Sequence, residues 1–163
     1  MAKQKSLTQE KFDEMVAQLT TQRETLLGLI RPLSHTMRSW KPNDSQWNIH
    51  EILLHLGSSE CACVSRLGKY ISAPSEVTLM RFLNQSRETV LARLTELDED
   101  ERNQAFADDW TAVRVLNELL SHEQATLLRL RKLSPNGGCT SWLDWRPSRP
   151  GCLPRCWACP RNN

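Results

Sequence analysis

Apolar residues recur at spacings of three and four in four long segments of this 163-residue chain. That spacing places them along one side of an α-helix, and no segment shows the alternation of a half-buried strand. The sequence therefore predicts an all-α fold, a four-helix bundle with an irregular C-terminal tail. The first helix is expected to begin in the capping box Ser6–Gln9 and to end before Pro32. The other three are expected over residues 46–70, 75–97 and 111–133.

Two connections between these helices carry polar and turn-forming residues. Residues 33–46 are expected to form a loop anchored by tryptophans, with Asp44 or Ser45 as the N-cap of the second helix. The acidic run at residues 98–102 is expected to be a solvated linker.

The length supports one domain, which we assign to residues 6–133. Residues 134–163 contain four arginines and one aspartate, so the rest of the chain is nearly neutral within the overall charge of +2. A nearly neutral body lacks the basic surface that nucleic acid requires, and we expect no nucleic-acid partner. No apolar run approaches the roughly 20 residues of a membrane span, and no signal-type segment follows the N-terminus. We therefore expect no membrane partner and a cytoplasmic location.

The composition changes abruptly at residue 134. Five of the eight prolines, three of the six tryptophans and four of the six cysteines fall within residues 134–163, which argues against a helix there. Four cysteines could supply thiolates to zinc, but their spacing is irregular, and we favour a poorly ordered extension or a non-native end. The other two, Cys61 and Cys63, lie on the second helix and are expected to be unbridged thiols.

Two Glu-x-x-x-His motifs stand out. Glu51 precedes His55 on the second helix, and Glu118 precedes His122 on the fourth. A four-residue spacing returns to nearly the same face of a helix, so two such helices could bring their imidazoles together. That arrangement would suit a metal or acid/base site. The alternative is two surface Glu–His pairs that stabilise each helix slightly.

Glu60 and Glu123 interrupt the apolar stripes of the second and fourth helices. A buried carboxylate requires a counter-ion, a bound cation or a proton. Arg66 and Arg129 are the candidate counter-ions, and a structural ion pair is the interpretation we favour. His35 and His50 are expected to be solvated.

The second helix begins with Trp47 and carries His55-Leu, and the fourth contains the segment Val115–Glu123. With the helix count, this pattern resembles the DinB-like (DinB/YfiT) superfamily of metal-binding four-helix bundles over residues 8–133. In that family, a His on the second helix and a His-x-x-x-His pair on the fourth hold a divalent metal such as zinc or nickel. The resemblance implies His55, His122 and Thr126 at the three ligand positions.

Thr126 departs from the family pattern, because a hydroxyl is a much poorer ligand for zinc or nickel than imidazole. Three interpretations follow. Glu123, Glu60 or Glu118 completes a site of two histidines and one carboxylate, the site has lost its metal, or a metal binds weakly with waters in the open positions.

The resemblance also implies an activity, a metal-dependent thiol S-transferase of the bacillithiol or mycothiol type. Its partners would be a small-molecule thiol and an electrophile, with Glu123 or Glu60 as third ligand or catalytic base. The rival hypothesis is a non-catalytic helical bundle that acts as a dimeric interaction or structural protein. Leu54, Leu79, Leu97 and the tryptophans would then form the face of a homodimer.

Overall fold

The computed structural model describes residues 7–41, 47–75 and 78–133. Within these ranges the chain is helical and contains no strand, which confirms the all-α class. No helix in the described ranges is long and apolar enough to cross a membrane. The predicted C-terminal tail, with its candidate zinc-binding cysteines, lies outside the described residues. The elements in chain order are α1 (Gln9–Ile30), α2 (His35–Ser39), α3 (Ile49–Val64), α4 (Leu79–Glu96), α5 (Glu99–Asn103), the 3₁₀-helix Ala107–Asp109 and α6 (Ala112–Leu133).

The starts of α1 and α3 are fixed by side-chain caps. The Thr8 hydroxyl accepts a hydrogen bond from the Lys11 amide, and the Asn48 side chain accepts one from the Glu51 amide at 2.8 Å. Glu51 in turn accepts a hydrogen bond from the Asn48 amide at 3.0 Å, which completes a capping box. The N-cap of α3 is therefore Asn48, and the expected cap at residues 44–45 was wrong.

Several boundaries differ from the sequence prediction. α3 ends at Val64 rather than near residue 70, and Gly68 beyond it adopts a left-handed φ of +79° that only glycine takes easily. The expected linker at residues 98–102 contains α5, because Asp98 and Glu101 form a second capping box. The expected loop before α3 contains α2, which Ser34 caps.

The four long helices bury their apolar faces in two clusters at opposite ends of the molecule. The first cluster takes residues from the N-terminal halves of α1 and α6 and the C-terminal halves of α3 and α4, and the second takes the remaining halves. α1 and α6 therefore run in one direction, and α3 and α4 run in the other. α3 packs most extensively on α4, and α1 on α6.

The predicted dimer face was wrong for two of its three leucines. Leu79 and Leu97 are core residues, 7% and 1% exposed, and belong to the two apolar clusters. Leu54 is exposed, as are Trp40 and Trp47, but the prediction was also wrong for Trp110, which is a core residue 3% exposed. The other three tryptophans lie outside the described residues.

We predict that Gly57→Ala destabilises the protein. A Cβ on Gly57 would lie 2.5 Å from Phe82 Cε1 and 2.7 Å from Ser86 Oγ, where α3 approaches α4 closely. The variant should lose about 1–3 kcal/mol of unfolding free energy in a urea titration. Gly28→Ala is the matched control, because nothing lies within 4 Å of its Cβ position and alanine favours a helix. An equal gain in both variants would contradict the close approach.

Candidate functional site

The structure brings His55 of α3 and His122 of α6 together. Their ring centroids lie 5.8 Å apart, and the ring planes make an angle of 80°. Trp47 packs against His55 with ring centroids 5.0 Å apart and an angle of 64°. Both histidines are half-buried, while the Trp47 side chain is 47% exposed. Two imidazoles and an indole therefore form one aromatic group between α3 and α6.

Ser59 belongs to this group, although sequence reasoning did not single it out. Its hydroxyl lies 3.3 Å from Nε2 and 3.5 Å from Nδ1 of His55, and the residue is buried. The sequence could have predicted this contact, because Ser59 follows His55 by one helical turn and lies on the same face of α3.

Both imidazoles are held in the neutral state. The pKa of His122 is lowered to about 4, mainly by burial and also by His55 and Arg129, while Glu60 opposes the shift. Burial and, to a smaller extent, Arg129 also lower the pKa of His55. At neutral pH both rings therefore keep an unprotonated nitrogen, the form that metal binding and base catalysis require.

Thr126 occupies the position of the third family ligand, but its hydroxyl serves another purpose. The side chain is buried, and its Oγ1 donates a hydrogen bond to the His122 carbonyl oxygen at 3.0 Å. Such a bond satisfies the hydroxyl within its own helix. Glu51 is likewise engaged elsewhere, since it caps α3 and forms an ion pair with Lys41 at 2.6 Å.

Glu60 and Glu123 join Arg23 and Arg87 in a four-charge cluster at the centre of the molecule. Arg23 Nη2 lies 2.5 Å from Glu60 Oε1, and Arg23 Nε lies 2.7 Å from Glu123 Oε1. Arg87 Nη2 contacts Glu60 Oε1 at 2.5 Å and also bonds Glu123 Oε2. Each of the four residues is at most 4% exposed, and their formal charges cancel.

Both arginines also bond the main chain of a neighbouring helix. Arg23 Nη1 donates to the Leu83 carbonyl oxygen at 3.0 Å, and Arg87 Nη1 donates to the Leu19 carbonyl oxygen at 3.1 Å. The four-charge cluster therefore ties α1 to α4 directly, as well as joining both to α3 and α6.

The ion-pair interpretation of Glu60 and Glu123 is confirmed, but its predicted counter-ions were wrong. Arg66 lies over the Trp110 ring at 4.6 Å from the centroid, and Arg129 acts electrostatically on the histidines. Sequence reasoning considered only arginines close to each glutamate along its own helix, whereas the real partners come from α1 and α4.

Within the four-charge cluster, burial and the attraction between opposite charges shift the pKa values in opposite directions. Burial raises the pKa of the Glu123 carboxyl, and the guanidiniums of Arg23 and Arg87 oppose that rise. Burial would lower the pKa of Arg23, but Glu60 and Glu123 outweigh burial and raise it. The two glutamates therefore keep the Arg23 guanidinium charged in the interior, while the two arginines limit the effect of burial on Glu123.

The donor set does not fit the three-ligand metal centre that the resemblance implies. Glu60 Oε2 is buried and has no hydrogen-bond partner among the described residues, so one carboxylate oxygen is uncommitted. Its sister oxygen is held by two guanidiniums, and both oxygens of Glu123 are held as well. In the described part of the chain, no three His, Cys, Asp or Glu side chains are placed to hold a cation. The site therefore supplies two imidazole ligands and lacks a third.

Cys61 and Cys63, the cysteines in the described part of the chain, do not extend this chemistry. Cys61 and Cys63 are both buried, and burial raises the pKa of the Cys61 thiol to about 11. Since the thiolate is the reactive form, Cys61 is a packing residue rather than a nucleophile.

Comparison with known proteins adds no relative. No protein-family model matches the sequence, and no curated protein or solved structure matches it significantly. The DinB-like resemblance therefore stays a prediction that rests on the residues themselves.

We predict that His122 makes the protein less stable in acid. Between its folded pKa of about 4 and the ordinary value of 6.5, the unfolded chain binds a proton that the folded chain does not. The contribution of His122 to the free energy of unfolding is therefore fully present above pH 6.5, and it is lost as the pH falls towards 4. In the His122→Gln variant, the decrease in unfolding free energy on acidification should be smaller than in the wild type by up to about 3 kcal/mol.

The measurement is urea unfolding at pH 7 and pH 4.5 with a chelator present, beside the exposed control His35→Gln. Only His122→Gln should flatten the pH dependence. The same loss in wild type and both variants would contradict a half-buried His122 that stays neutral in the folded protein.

Proposed function

We propose that this protein is a DinB-like four-helix bundle that lacks the family's third metal ligand and acts as a non-catalytic interaction protein. The observation that carries the proposal is the four-charge cluster, because its arginines bind Glu60 and Glu123, two of the three carboxylates that could have replaced that ligand.

Recruiting either carboxylate to a metal would be costly. Glu60 Oε1 accepts hydrogen bonds from both guanidiniums. The two oxygens of Glu123 each accept a hydrogen bond from a different guanidinium. Withdrawing one carboxylate would leave a buried guanidinium with incomplete compensation, and losses of this kind cost about 3–5 kcal/mol. Thr126 offers no substitute, since its hydroxyl bonds the α6 backbone.

Exposed tryptophans support the interaction role. Trp40 ends α2 and is 43% exposed, while Trp47 stands before α3 and is 47% exposed. The residues next to these tryptophans in the sequence are in contact. The Asn48 side chain, which follows Trp47, donates a hydrogen bond to the carbonyl oxygen of Ser39, which precedes Trp40, at 3.3 Å. Tryptophan is enriched at the centre of protein interfaces, where it combines apolar area with a polar N–H. A protein partner docking beside α3 is therefore the interaction that this surface favours, and a homodimer is one form of it.

The second candidate is the metal-dependent thiol S-transferase, with zinc or nickel and a bacillithiol- or mycothiol-type thiol. What favours it is the meeting of His55 and His122 as neutral imidazoles, together with a buried Glu60 Oε2 that has no hydrogen-bond partner among the described residues. Two histidines alone seldom hold a catalytic metal, so we place this candidate second.

We predict that Thr126→His creates a zinc site that the wild type lacks. The substitution restores His-x-x-x-His on α6, one turn beyond His122 and on the face towards His55. After zinc loading and desalting, the variant should retain about one zinc per chain by elemental analysis, since three imidazoles satisfy a typical zinc centre. The wild type should retain none.

Two controls make the outcome specific. Thr126→Asn changes size without adding an imidazole, and Thr126→His combined with His55→Ala removes a ligand from the restored set. Neither should retain zinc. One zinc per chain in the wild type, lost with His55→Ala, would contradict the proposal and support the transferase. No zinc in the folded Thr126→His variant would contradict the DinB-like geometry itself.

A further inference from the structure

The two ends of the bundle carry opposite net charges. One end surrounds the second apolar cluster and bears the exposed tryptophans, and we call it the tryptophan end; it comprises residues 26–41, 47–56, 79–83 and 127–131. It contains one acidic residue, Glu51, and six basic residues, which are Arg31, Arg38, Lys41, Arg81, Arg129 and Arg131. Six positive charges and one negative charge give the tryptophan end a net charge of +5 with neutral histidines.

The opposite end, which we call the acidic end, surrounds the first apolar cluster and comprises residues 7–19, 61–71 and 90–119. Its eleven acidic residues are Glu10, Asp13, Glu14, Glu96, Asp98, Glu99, Asp100, Glu101, Asp108, Asp109 and Glu118. Its six basic residues are Lys11, Arg66, Lys69, Arg93, Arg102 and Arg114, so its net charge is −5. The near neutrality of the body as a whole therefore hides a separation of charge along the bundle.

The basic residues of the two ends differ in their ion pairs. At the acidic end, Lys11 pairs with Glu14 at 2.7 Å, and Lys69 pairs with Glu96 at 3.0 Å. At the tryptophan end, Lys41 pairs with the single glutamate. Within the part of the chain that the structure describes, no ion pair involves the five arginines of this end, which are Arg31, Arg38, Arg81, Arg129 and Arg131. All five are exposed or half-buried, so their charge attracts an anionic partner.

One of these arginines lies beside an exposed tryptophan. Trp47 packs against His55 at 5.0 Å between ring centroids, and Arg129 is close enough for its charge to lower the pKa of His55. Arg38 precedes Trp40 by two residues in the segment that packs on α3. Tryptophan and arginine are the residue types that most often anchor protein interfaces.

We infer that the tryptophan end binds an acidic segment of a partner protein, with an apolar side chain against Trp47 and a carboxylate at Arg129. A guanidinium suits this ligand, because it can bond both oxygens of one carboxylate. The inference rests on the interaction role proposed above and names the chemical class of the partner.

Two other anionic occupants fit the charges less well. A single-stranded nucleic acid could stack its bases on the tryptophans, but the acidic end would repel a long polyanion. A short acidic segment meets the tryptophan end alone. The acidic end of a second copy would make a head-to-tail contact, which builds open chains unless the rotation closes a ring.

The experiment selects binders for the full-length protein from a displayed library of random short peptides. The selected peptides should be rich in Asp and Glu and carry an apolar or aromatic residue. A labelled copy of the most enriched peptide then serves as the probe in fluorescence anisotropy. Its binding should weaken as the salt concentration rises, because salt screens exposed charges.

Variants locate the contact. Trp47→Ala and Arg129→Gln should each weaken binding of the probe peptide about tenfold, and Arg38→Gln should act in the same direction. Lys69→Gln is the matched control, because it removes an exposed positive charge from the acidic end and should change the affinity by less than about twofold. Circular dichroism checks that each variant is folded.

The outcomes separate this inference from the interaction role. Peptides that depend on Trp47 but carry no acidic residue, or that bind Arg129→Gln and Arg38→Gln as well as wild type, would overturn the inference and leave the role intact. A selection that yields no peptide dependent on Trp47 would overturn both.

Two further measurements test the other occupants. A single-stranded oligonucleotide that binds more tightly than the probe peptide, and loses affinity with Arg129→Gln, would overturn the inference in favour of nucleic acid. Wild-type oligomers that dissociate in Arg129→Gln, measured by light scattering, would overturn it in favour of a second copy. Weaker oligonucleotide binding, and an oligomeric state that Arg129→Gln does not change, are the results we expect.

Discussion

The four-charge cluster is the interaction on which the rest of the structure depends. Two guanidiniums and two carboxylates, all nearly inaccessible to water, bond one another at the middle of the four long helices, and the guanidiniums also bond two backbone carbonyls. Buried charges are tolerated only when paired, and breaking one such pair costs more than the pair contributes. The cluster also separates the two apolar clusters of the core. Sliding any long helix by one residue would remove a charge from the set, so the cluster specifies the register of all four.

The same constraint decides what the histidines can do. His55 and His122 lie close together and neutral, but the nearby carboxylates serve the arginines instead of a cation. Glu60 still influences His122, since its negative charge opposes the fall in the pKa of that imidazole. The polar centre is thus organised for charge balance inside the protein, and the interaction surface that we propose is formed by the exposed tryptophans near α3.

The sequence predicted the four long helices because apolar periodicity persists over many turns. Boundaries were less predictable, since α3 ends near a left-handed glycine and short polar helices such as α5 depend on local caps. The meeting of two histidines followed from helical spacing. The arginine partners did not, although Arg23 sits where an apolar residue of α1 would be expected, between Leu19 and Leu26. Which buried arginine meets which carboxylate depends on how the helices pack against one another, and residue spacing along one helix does not reveal it.

The most direct measurement is the unfolding free energy of Glu123→Gln beside Glu88→Gln, an exposed control on α4. Both substitutions remove one negative charge with little change in shape. If the four-charge cluster organises the core, Glu123→Gln should lose about 3 kcal/mol or more, because two buried guanidiniums would share one carboxylate. Glu88→Gln should stay within about 0.5 kcal/mol of the wild type. Equal, small losses in both variants would contradict the account.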